Sequence, residues 1–336
     1  MKKCVWLIGV VLLLCKGAEA QDIHFSQFYN APLLLNPANT GLYRGDWQIV
    51  NNYKRQWASL SVPYVTIDFA FDRQLFFHSE NFSVGFVFLS DRSGDASLTI
   101  NKFYLSSAYH KKFGAWALHG GLMAGYAHTS FNPSTLTFPD QYDPEQGQFN
   151  NKLPNYENFN LQSISYFDCN AGFIAQRNFK NISPLVGISF DHLNRANQGF
   201  FSDNRPAAIR SNFHASVKCK FNKYLFAIPD FMSSAQNGAS YILAGSRVGS
   251  MIPKNKLDLQ MIYAGFMLRT GIYRPTDAYV VTTGLQIGRF KGAFSYDINV
   301  SDLSAATNYQ GGFEISLIYT SISTNPSKIA LSCERD

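Results

Sequence analysis

The chain has 336 residues, of which only 15% are charged and 15% are aromatic, and its formal net charge is +6. That is little charge and much aromatic surface for a soluble domain. The positive charges are too few and too scattered to indicate a nucleic-acid-binding protein. After the first 20 residues no segment has eighteen consecutive apolar residues, which excludes helical membrane spans.

The first twenty residues have the pattern of a secretory signal peptide. Two lysines follow the initiator methionine, a short apolar core spans residues 5–14, and Ala18-Glu19-Ala20 is a small-x-small cleavage site. The apolar core is too short for a membrane-spanning helix. We therefore expect residues 1–20 to be removed and the mature chain to begin at Gln21.

Residues 21–45 show no alternation of polar and apolar side chains. They contain Ala31-Pro32, Asn36-Pro37-Ala38 and Gly41, which are turn and breaker signals. We interpret them as an irregular N-terminal segment outside the strand count. The segment is too apolar for a free tail, so we expect it to pack inside or beneath the rest of the protein through Phe25, Phe28, Tyr29, Leu33, Leu34 and Leu35.

From Trp47 onward, alternating or β-rich runs of about ten residues recur, as the alternation rule for strands describes. An even number of such runs, each long enough to cross a bilayer as a tilted strand, is typical of single-chain outer-membrane barrels. The sequence therefore predicts an all-β protein, a transmembrane antiparallel β-barrel over residues 46–320. The fourteen predicted strands are 47–57, 62–74, 81–89, 98–110, 115–128, 166–177, 184–191, 209–220, 224–233, 240–250, 257–269, 279–289, 292–300 and 312–320.

The connections between the runs separate a barrel from a soluble sandwich, which alternation alone would also allow. Connections after even-numbered runs are short, whereas those after odd-numbered runs are more varied and often longer. Short periplasmic turns opposite long outer loops are typical of outer-membrane barrels. We expect the last run to pair with the first, which removes both sheet edges, and residues 321–336 to form a periplasmic tail.

Two long excursions are expected to be loops. Residues 129–165 contain four prolines among Asn, Gln and Asp, a composition that resists strand formation. Residues 192–208 contain the pair Phe200-Phe201. A folded-in loop or surface cover is favoured for this pair over a binding element.

The sequence carries no recognisable catalytic or metal-binding constellation. It has neither a G-x-S-x-G elbow nor an H-E-x-x-H helix. His119 and His128 have an odd spacing that places them on opposite faces of one strand. We therefore expect a protein that is not an enzyme, with no catalytic, cofactor-binding or metal-binding residues. For the loop carboxylates, solvated charge is favoured over a calcium site; these are Asp91, Asp95, Asp140, Asp143 and Glu145.

Charged residues at inward positions of the predicted strands fit a polar lumen. We expect Asp68, Asp72, Asp297 and Glu314 to face inward and to form charge pairs with basic residues such as Lys54 and Arg269.

The cysteines after the signal peptide are Cys169, Cys219 and Cys333. Because their number is odd and the chain is long enough to bury its own core, unpaired thiols are favoured over a Cys169–Cys219 bridge.

At both ends the chain resembles the PorP/SprF family of type IX secretion and gliding-motility outer-membrane proteins. The start, QDIHFSQFYNAPLLLNPANTGL, and the end, SYDINVSDLSAATNYQGGFEISLIY, match that family in order and spacing. The family more commonly has Asn-Pro-Ala-Tyr-Ala-Gly where this chain has Asn-Pro-Ala-Asn-Thr-Gly, so a role for that tyrosine does not transfer. The family-motif positions are Asn36, Pro37, Ala38, Gly41, Arg55, Gln56, Trp57 and Glu314.

The resemblance implies a bacterial outer-membrane barrel similar in architecture to long-chain fatty-acid transporters. It also implies partners: outer-membrane lipid, periplasmic type IX lipoproteins and peptidoglycan-linked subunits, and the C-terminal domain of a secreted adhesin or other cargo. No enzymatic activity and no cofactor come with the family. The short, often basic turns are available for the periplasmic partners.

An alternative function is transport of small hydrophobic molecules. This alternative is based on the fourteen predicted strands and on an N-terminal segment that could plug a lumen.

Overall fold

Fourteen antiparallel strands form one closed barrel in the computed structural model. The structure describes residues 22–59, 62–77, 80–150, 152–154, 157, 162–200, 205–253, 255–272 and 275–324. The predicted signal peptide, Gln21, Phe201 and the end of the tail with Cys333 lie outside these described ranges.

The barrel strands follow one another around the wall in chain order, and every predicted run overlaps one of them. β1 pairs with the last strand in antiparallel register, with Gln48 opposite Thr320 and Gln56 opposite Gly312, which confirms the predicted closure. The strands are β1 Trp47–Gln56, β2 Tyr64–Phe77, β3 Glu80–Ser93, β4 Leu98–Phe113, β5 Trp116–Ser130, β8 Ser163–Arg177, β9 Ile182–Asp191, β10 Arg210–Lys220, β11 Leu225–Gln236, β12 Ala239–Met251, β13 Leu259–Thr270, β14 Thr276–Ile287, β15 Phe290–Asn299 and β16 Gln310–Thr320. The labels β6 and β7 belong to a small loop hairpin described below.

Alternation along each strand separates an apolar outside from a polar inside. On β15, Ser295 and Asp297 are buried, whereas Phe294 and Tyr296 between and beside them are exposed. Leu105 on β4 keeps 71% of its surface exposed. The exposed apolar area of this belt is larger than soluble proteins present to water. The belt is therefore the lipid-facing surface of a membrane barrel.

An aromatic pair marks the periplasmic edge of this belt. Trp47 packs on Tyr319 at the end of the barrel where β1 begins, with ring centroids 5.2 Å apart. Aromatic girdles of this kind lie at membrane–water interfaces. At the opposite end Trp57 packs on Tyr64, with ring centroids 4.9 Å apart, but this pair lines the inside of the barrel.

The connections are sorted between the two ends of the barrel. The turns after β2, β4, β8, β10, β12 and β14 are short, and the long connections after β5 and β9 lie at the opposite end. The other connections at the loop end vary in length: those after β3 and β13 are short, and Asn237 and Gly238 alone join β11 to β12, with φ of +46° and +77°. Both values are those of a tight type I′ hairpin turn. The short turns define the periplasmic end.

Between β5 and β8 the chain is mostly loop, as expected, but the composition of residues 129–165 does not prevent strand formation altogether. A small hairpin forms there from two-residue strands, β6 at Tyr142–Asp143 and β7 at Gln148–Phe149. Gly147 closes it in the left-handed conformation (φ +66°) and donates a 2.8 Å hydrogen bond to the carbonyl of Asp143. The Tyr142 and Phe149 rings pack together across it, so local turn chemistry outweighs the proline-rich composition.

Two further expectations concern single side chains. Phe200 packs edge-on against Phe131 with ring centroids 5.0 Å apart, so it joins the two long loops as a folded-in residue. Cys169 and Cys219 are free thiols, and the alternative of a bridge between them is not realised.

The helices of the fold are short. Three helical turns, Phe28–Asn30, Pro32–Leu35 and Pro37–Asn39, shape the N-terminal segment, and Ser304–Thr307 lies in the last loop. Among the described residues, no helix is long and apolar enough to cross a membrane.

Candidate functional site: the plugged lumen and its vestibule

The N-terminal segment runs through the lumen of the barrel, and we call residues 22–43 the plug. Its first residue, Asp22, lies near the loop end and donates its backbone amide to Gln236 Oε1 at 3.2 Å. At the periplasmic end, the Tyr43 hydroxyl donates to the carbonyl of Asp72 at 2.7 Å. Every residue from Phe25 to Tyr43 except Leu34 is buried. The expectation that this segment packs against the rest of the protein agrees with these contacts.

Glu314 holds the first half of the plug. Its carboxylate accepts hydrogen bonds from the consecutive backbone amides of Ser26 (2.7 Å) and Gln27 (2.9 Å). Lys54, on the neighbouring strand β1, pairs with the same carboxylate at 3.4 Å and donates to the carbonyl of His24 at 2.8 Å. Charge-assisted bonds from a buried carboxylate to backbone amides are among the strong hydrogen bonds of proteins.

The Asn36-Pro37-Ala38 motif forms a turn that is seated on the barrel wall. Asn36 Oδ1 accepts a 2.9 Å hydrogen bond from the Ala38 amide, and Asn36 Nδ2 donates to the carbonyls of Phe173 and Ile188 at 3.2 and 3.0 Å. The wall beneath the turn has glycine at Gly121 and Gly172, where a Cβ atom would overlap Pro37 and Asn36 respectively. The motif is therefore matched to a recess that only glycine leaves open.

Gly41 secures the second half of the plug. Its φ of +73° favours glycine, and a Cβ atom there would overlap Ser83 on the wall. Its amide donates to Asp72 Oδ2 at 2.6 Å, and its carbonyl accepts from Gln74 Nε2 at 2.6 Å. The requirement for glycine at this motif position thus has both a conformational and a steric cause.

A charged cluster clamps the start of the plug. The Asp22 carboxylate accepts a hydrogen bond from His192 Nε2 at 2.5 Å and lies 3.3 Å from Lys102 Nζ, while His192 Nδ1 bonds Asp168 at 2.9 Å. Burial alone would raise the pKa of Asp22, but the nearby charges of Lys102, His192 and Arg210 hold it well below its usual value. Burial alone would lower the pKa of His192, but its bonds to both carboxylates raise it to about 9. His192 is therefore cationic at neutral pH and donates from both ring nitrogens.

Two of the predicted charge pairs of the lumen are present. Lys54 pairs with Glu314, and Arg269 lies 2.6 Å from Asp297. Asp68 faces inward as predicted, but its partner is the amide of Asn52, whose Nδ2 donates a 2.8 Å hydrogen bond, and not a basic residue.

Arg247 is a lumen residue that the sequence did not reveal. Its guanidinium forms two hydrogen bonds with the Asp230 carboxylate, at 2.7 and 2.9 Å, and lies 3.6 Å from the centre of the Tyr29 ring of the plug. This combines a bidentate ion pair with a cation–π contact. The only sequence signal was an inward position on a strand, which does not name its partners.

Three motif positions lie at the loop end of β1 rather than on the plug. Gln56 and Trp57 line a cavity there, whereas Arg55 is exposed on the outer face. Trp57 has a φ of +57° and donates its amide to the carbonyl of Gly311 at 2.9 Å. The eight family-motif positions therefore form no single cluster.

The histidines fall as their spacing predicts, with His119 buried in the lumen and His128 on the other face of β5. His119 Nδ1 lies 2.7 Å from His110 Nδ1. Within the described ranges, no group of three or more His, Cys, Asp or Glu side chains could hold a metal ion.

Above the plug, at the loop end, lies a cavity of about 860 Å³ that we call the vestibule. Its floor is formed by Asp22, Ile23 and His24. Its volume is within the usual range of ligand-binding pockets, roughly 300–1,000 Å³. Prominent side chains of its wall are Trp57, Tyr64, Asp91, Tyr241, Asp277 and Leu303.

The closed sheet, the lipid-facing belt and the sorted connections define an outer-membrane β-barrel whose lumen is filled by its own N-terminal segment. A family model described as type IX secretion system membrane protein PorP/SprF matches residues 17–319. The chain belongs to that family, and the resemblance at its two ends is confirmed.

Two solved barrels show the same architecture at low sequence identity. The first is the CymD monoaromatic hydrocarbon channel, with a TM-score of 0.54 and 9% identity over 88% of this chain and 94% of that one. The second is the Ralstonia pickettii toluene transporter TbuX, with a TM-score of 0.50 and 9% identity over 86% and 92% of the respective chains. At this identity the likeness concerns the fold alone. No curated protein matches the chain.

Proposed function

We propose that this protein is a non-enzymatic barrel of the type IX secretion and gliding machinery. It holds the C-terminal domain of a secreted adhesin or other cargo at the cell surface and contacts periplasmic components beneath. The observation that carries this proposal is the filled lumen: residues from Phe25 to Tyr43 occupy it, while the vestibule stays open on the loop side. A barrel closed in this way favours a docking platform over an open conduit.

The periplasmic end supports the second part of the proposal. Exposed basic residues lie in its short turns and give that end a positive surface, which would attract acidic patches of lipoproteins or peptidoglycan-linked subunits. Those exposed in the described turns are Lys180, Lys223, Lys256 and Arg289.

Transport of small hydrophobic molecules is the second candidate, and one observation favours it. A cavity of about 50 Å³ lies between plug and wall, lined in part by Phe25, Phe28, Leu35, Met123 and Met232. A benzene-sized ligand needs about 150 Å³, so transport would require the plug to move. The two similar barrels are a hydrocarbon channel and a toluene transporter, which agrees with this candidate. Saturable flux of labelled toluene into liposomes containing the purified barrel would support it.

The first candidate is tested by deleting the gene for this protein in its own organism. Surface proteolysis and antibody labelling of intact cells would measure display of secreted adhesins. We expect display of at least one adhesin to be lost and to return when the wild-type gene is restored. Unchanged display of every type IX cargo would contradict the proposal.

A further inference from the structure

We propose that the vestibule binds a basic side chain on a short extended segment of the secreted partner, with Asp91 receiving its charge. This inference rests on the proposed function, because it takes the surface cargo as the ligand. It goes beyond that function by naming the chemistry that is recognised and the residue that recognises it.

Asp91, on β3, is a buried carboxylate that faces the vestibule. The residue is only 8% exposed, and its Oδ1 accepts a 2.6 Å hydrogen bond from the Thr66 hydroxyl. Among the described residues it forms no ion pair. Burial penalises the charge of this carboxylate, and the Thr66 hydrogen bond and the more distant charges of Lys54 and Lys102 offset part of that penalty. A basic ligand group bonded to Oδ2 would offset more of it.

The nearest cations are already bonded to other groups. Lys54 and Lys102 act on Asp91 through space. However, Lys54 pairs with Glu314 at 3.4 Å, and Lys102 pairs with Asp22 at 3.3 Å. Neither side chain can move to Asp91 without breaking a contact that holds the plug.

The rest of the vestibule lining adds no free positive charge. Its described residues include four aspartates but only Lys54 and Arg269 as cations. Asp22 is paired with Lys102 and His192, and Asp277 is paired with Arg269, so Asp91 and Asp302 supply the excess negative charge. His24 adds no charge, because burial and the charges of Lys54 and Arg269 hold its pKa well below its usual value. An excess of one sign in a cleft concentrates ligands of the opposite sign. The four aspartates are Asp22, Asp91, Asp277 and Asp302.

The shape and apolar lining of the vestibule further restrict the kind of ligand that it can bind. Trp57 and Tyr64 pack edge-on beside the acidic wall, and Leu98, Ile100 and Leu303 extend the apolar lining. Such a wall suits a cation flanked by apolar groups. At about 860 Å³ the vestibule holds a short segment rather than a domain. Because the barrel is closed, the partner cannot add a strand to the barrel sheet, and recognition within the vestibule falls to side chains.

The experiment uses the purified full chain in detergent and two probe peptides. One is acetyl-Gly-Phe-Lys-Phe-Gly-amide, and the other replaces lysine with norleucine, which keeps the shape and removes the charge. Trp57 reports binding by its fluorescence once Trp47→Phe and Trp116→Phe leave it the only tryptophan outside the predicted signal peptide. Calorimetry on the wild-type protein provides a readout without these substitutions.

We expect the lysine peptide to bind at least about tenfold more tightly than the norleucine peptide, a difference of about 1.4 kcal/mol. Asp91→Asn should abolish that preference and leave binding of the norleucine peptide unchanged. Asp140→Asn, in an exposed loop outside the vestibule, removes the same charge and should change neither affinity.

Equal affinity of the wild-type protein for both peptides would overturn the inference, and so would a preference that survives Asp91→Asn. If Asp91→Asn does not fold, salt dependence of the wild-type protein decides. The preference should shrink severalfold between about 0.05 M and about 0.5 M salt, and a salt-independent preference overturns the inference. If adhesin display depends on the protein but the lysine peptide is not preferred, this inference is refuted and the proposed function is not. Display that is independent of the protein would refute the proposed function.

Discussion

The carboxylate of Glu314, on the last barrel strand, accepts a 2.7 Å hydrogen bond from the backbone amide of Ser26, 288 residues earlier in the chain. The same carboxylate accepts a hydrogen bond from the amide of Gln27 and pairs with Lys54 on the first strand. Glu314 therefore ties the plug to the seam where the last strand meets the first. One side chain therefore contacts the plug and both strands of the closing pair.

Replacing Glu314 with alanine should loosen the plug. The change removes the acceptor of two amides and the counter-ion of Lys54, and breaking a buried ion pair on one side costs roughly 3–5 kcal/mol. We expect chymotrypsin to cleave after Phe25 and Phe28 much faster than in the wild-type protein. Glu145→Ala, in an exposed loop, is the matched control. Identical cleavage rates for Glu314→Ala and the wild type would refute this role.

Gly121→Ala should destabilise the protein, whereas Gly120→Ala next to it should not. A Cβ atom at Gly121 would overlap the backbone of Pro37 and Ala38, but one at Gly120 meets no atom within 4 Å. Overpacking of this kind typically costs about 1–3 kcal/mol. Thermal unfolding of both variants in detergent measures the difference. Equal melting temperatures would mean that the Asn-Pro-Ala turn is not seated as described.

The sequence reveals the barrel strands and their two faces but not the contacts of the plug. Alternation along each strand follows from burial, so the strands, their faces and the inward position of charged residues such as Lys54 and Arg269 were predictable. Which carboxylate pairs with which cation was not. Their partners in the plug were not, because no local pattern links Ser26 to Glu314 or Asp22 to His192. Such contacts depend on how a segment without periodicity folds inside the barrel.

The motif residues show the same division. Asn36, Pro37, Ala38 and Gly41 were recognisable as turn signals, but their fit to Gly121 and Gly172 depends on three-dimensional packing. The hairpin at residues 142–149 runs against the proline-rich composition of its loop, because it depends on the local turn at Gly147.

Stability should depend on pH through His192. Its pKa is about 9 in the folded protein and ordinarily 6.5, so the folded state binds its proton more tightly. The stabilisation is complete below about pH 6.5, declines as the pH rises, and is lost above about pH 9. We expect the melting temperature of the wild type to fall across this range more than that of His192→Gln. Parallel pH profiles would show that His192 does not clamp Asp22.

Cys169 and Cys219 should both react with a maleimide in the folded protein without prior reduction. Both are free and partly exposed. Mass spectrometry of the labelled peptides, with and without reductant, measures this. A modification of either peptide that appears only after reduction would contradict the free-thiol assignment.

In the proposed function, the plugged barrel holds a secreted partner at its loop end. The most direct test places a photo-crosslinking amino acid at Leu303, in the vestibule wall, and at Leu257, in an exposed periplasmic turn, in separate strains. After irradiation of intact cells, mass spectrometry identifies the adducts. We predict that position 303 captures the C-terminal domain of a secreted adhesin or other cargo and that position 257 does not. Capture of no cargo at position 303, in cells that display their adhesins normally, would contradict the account.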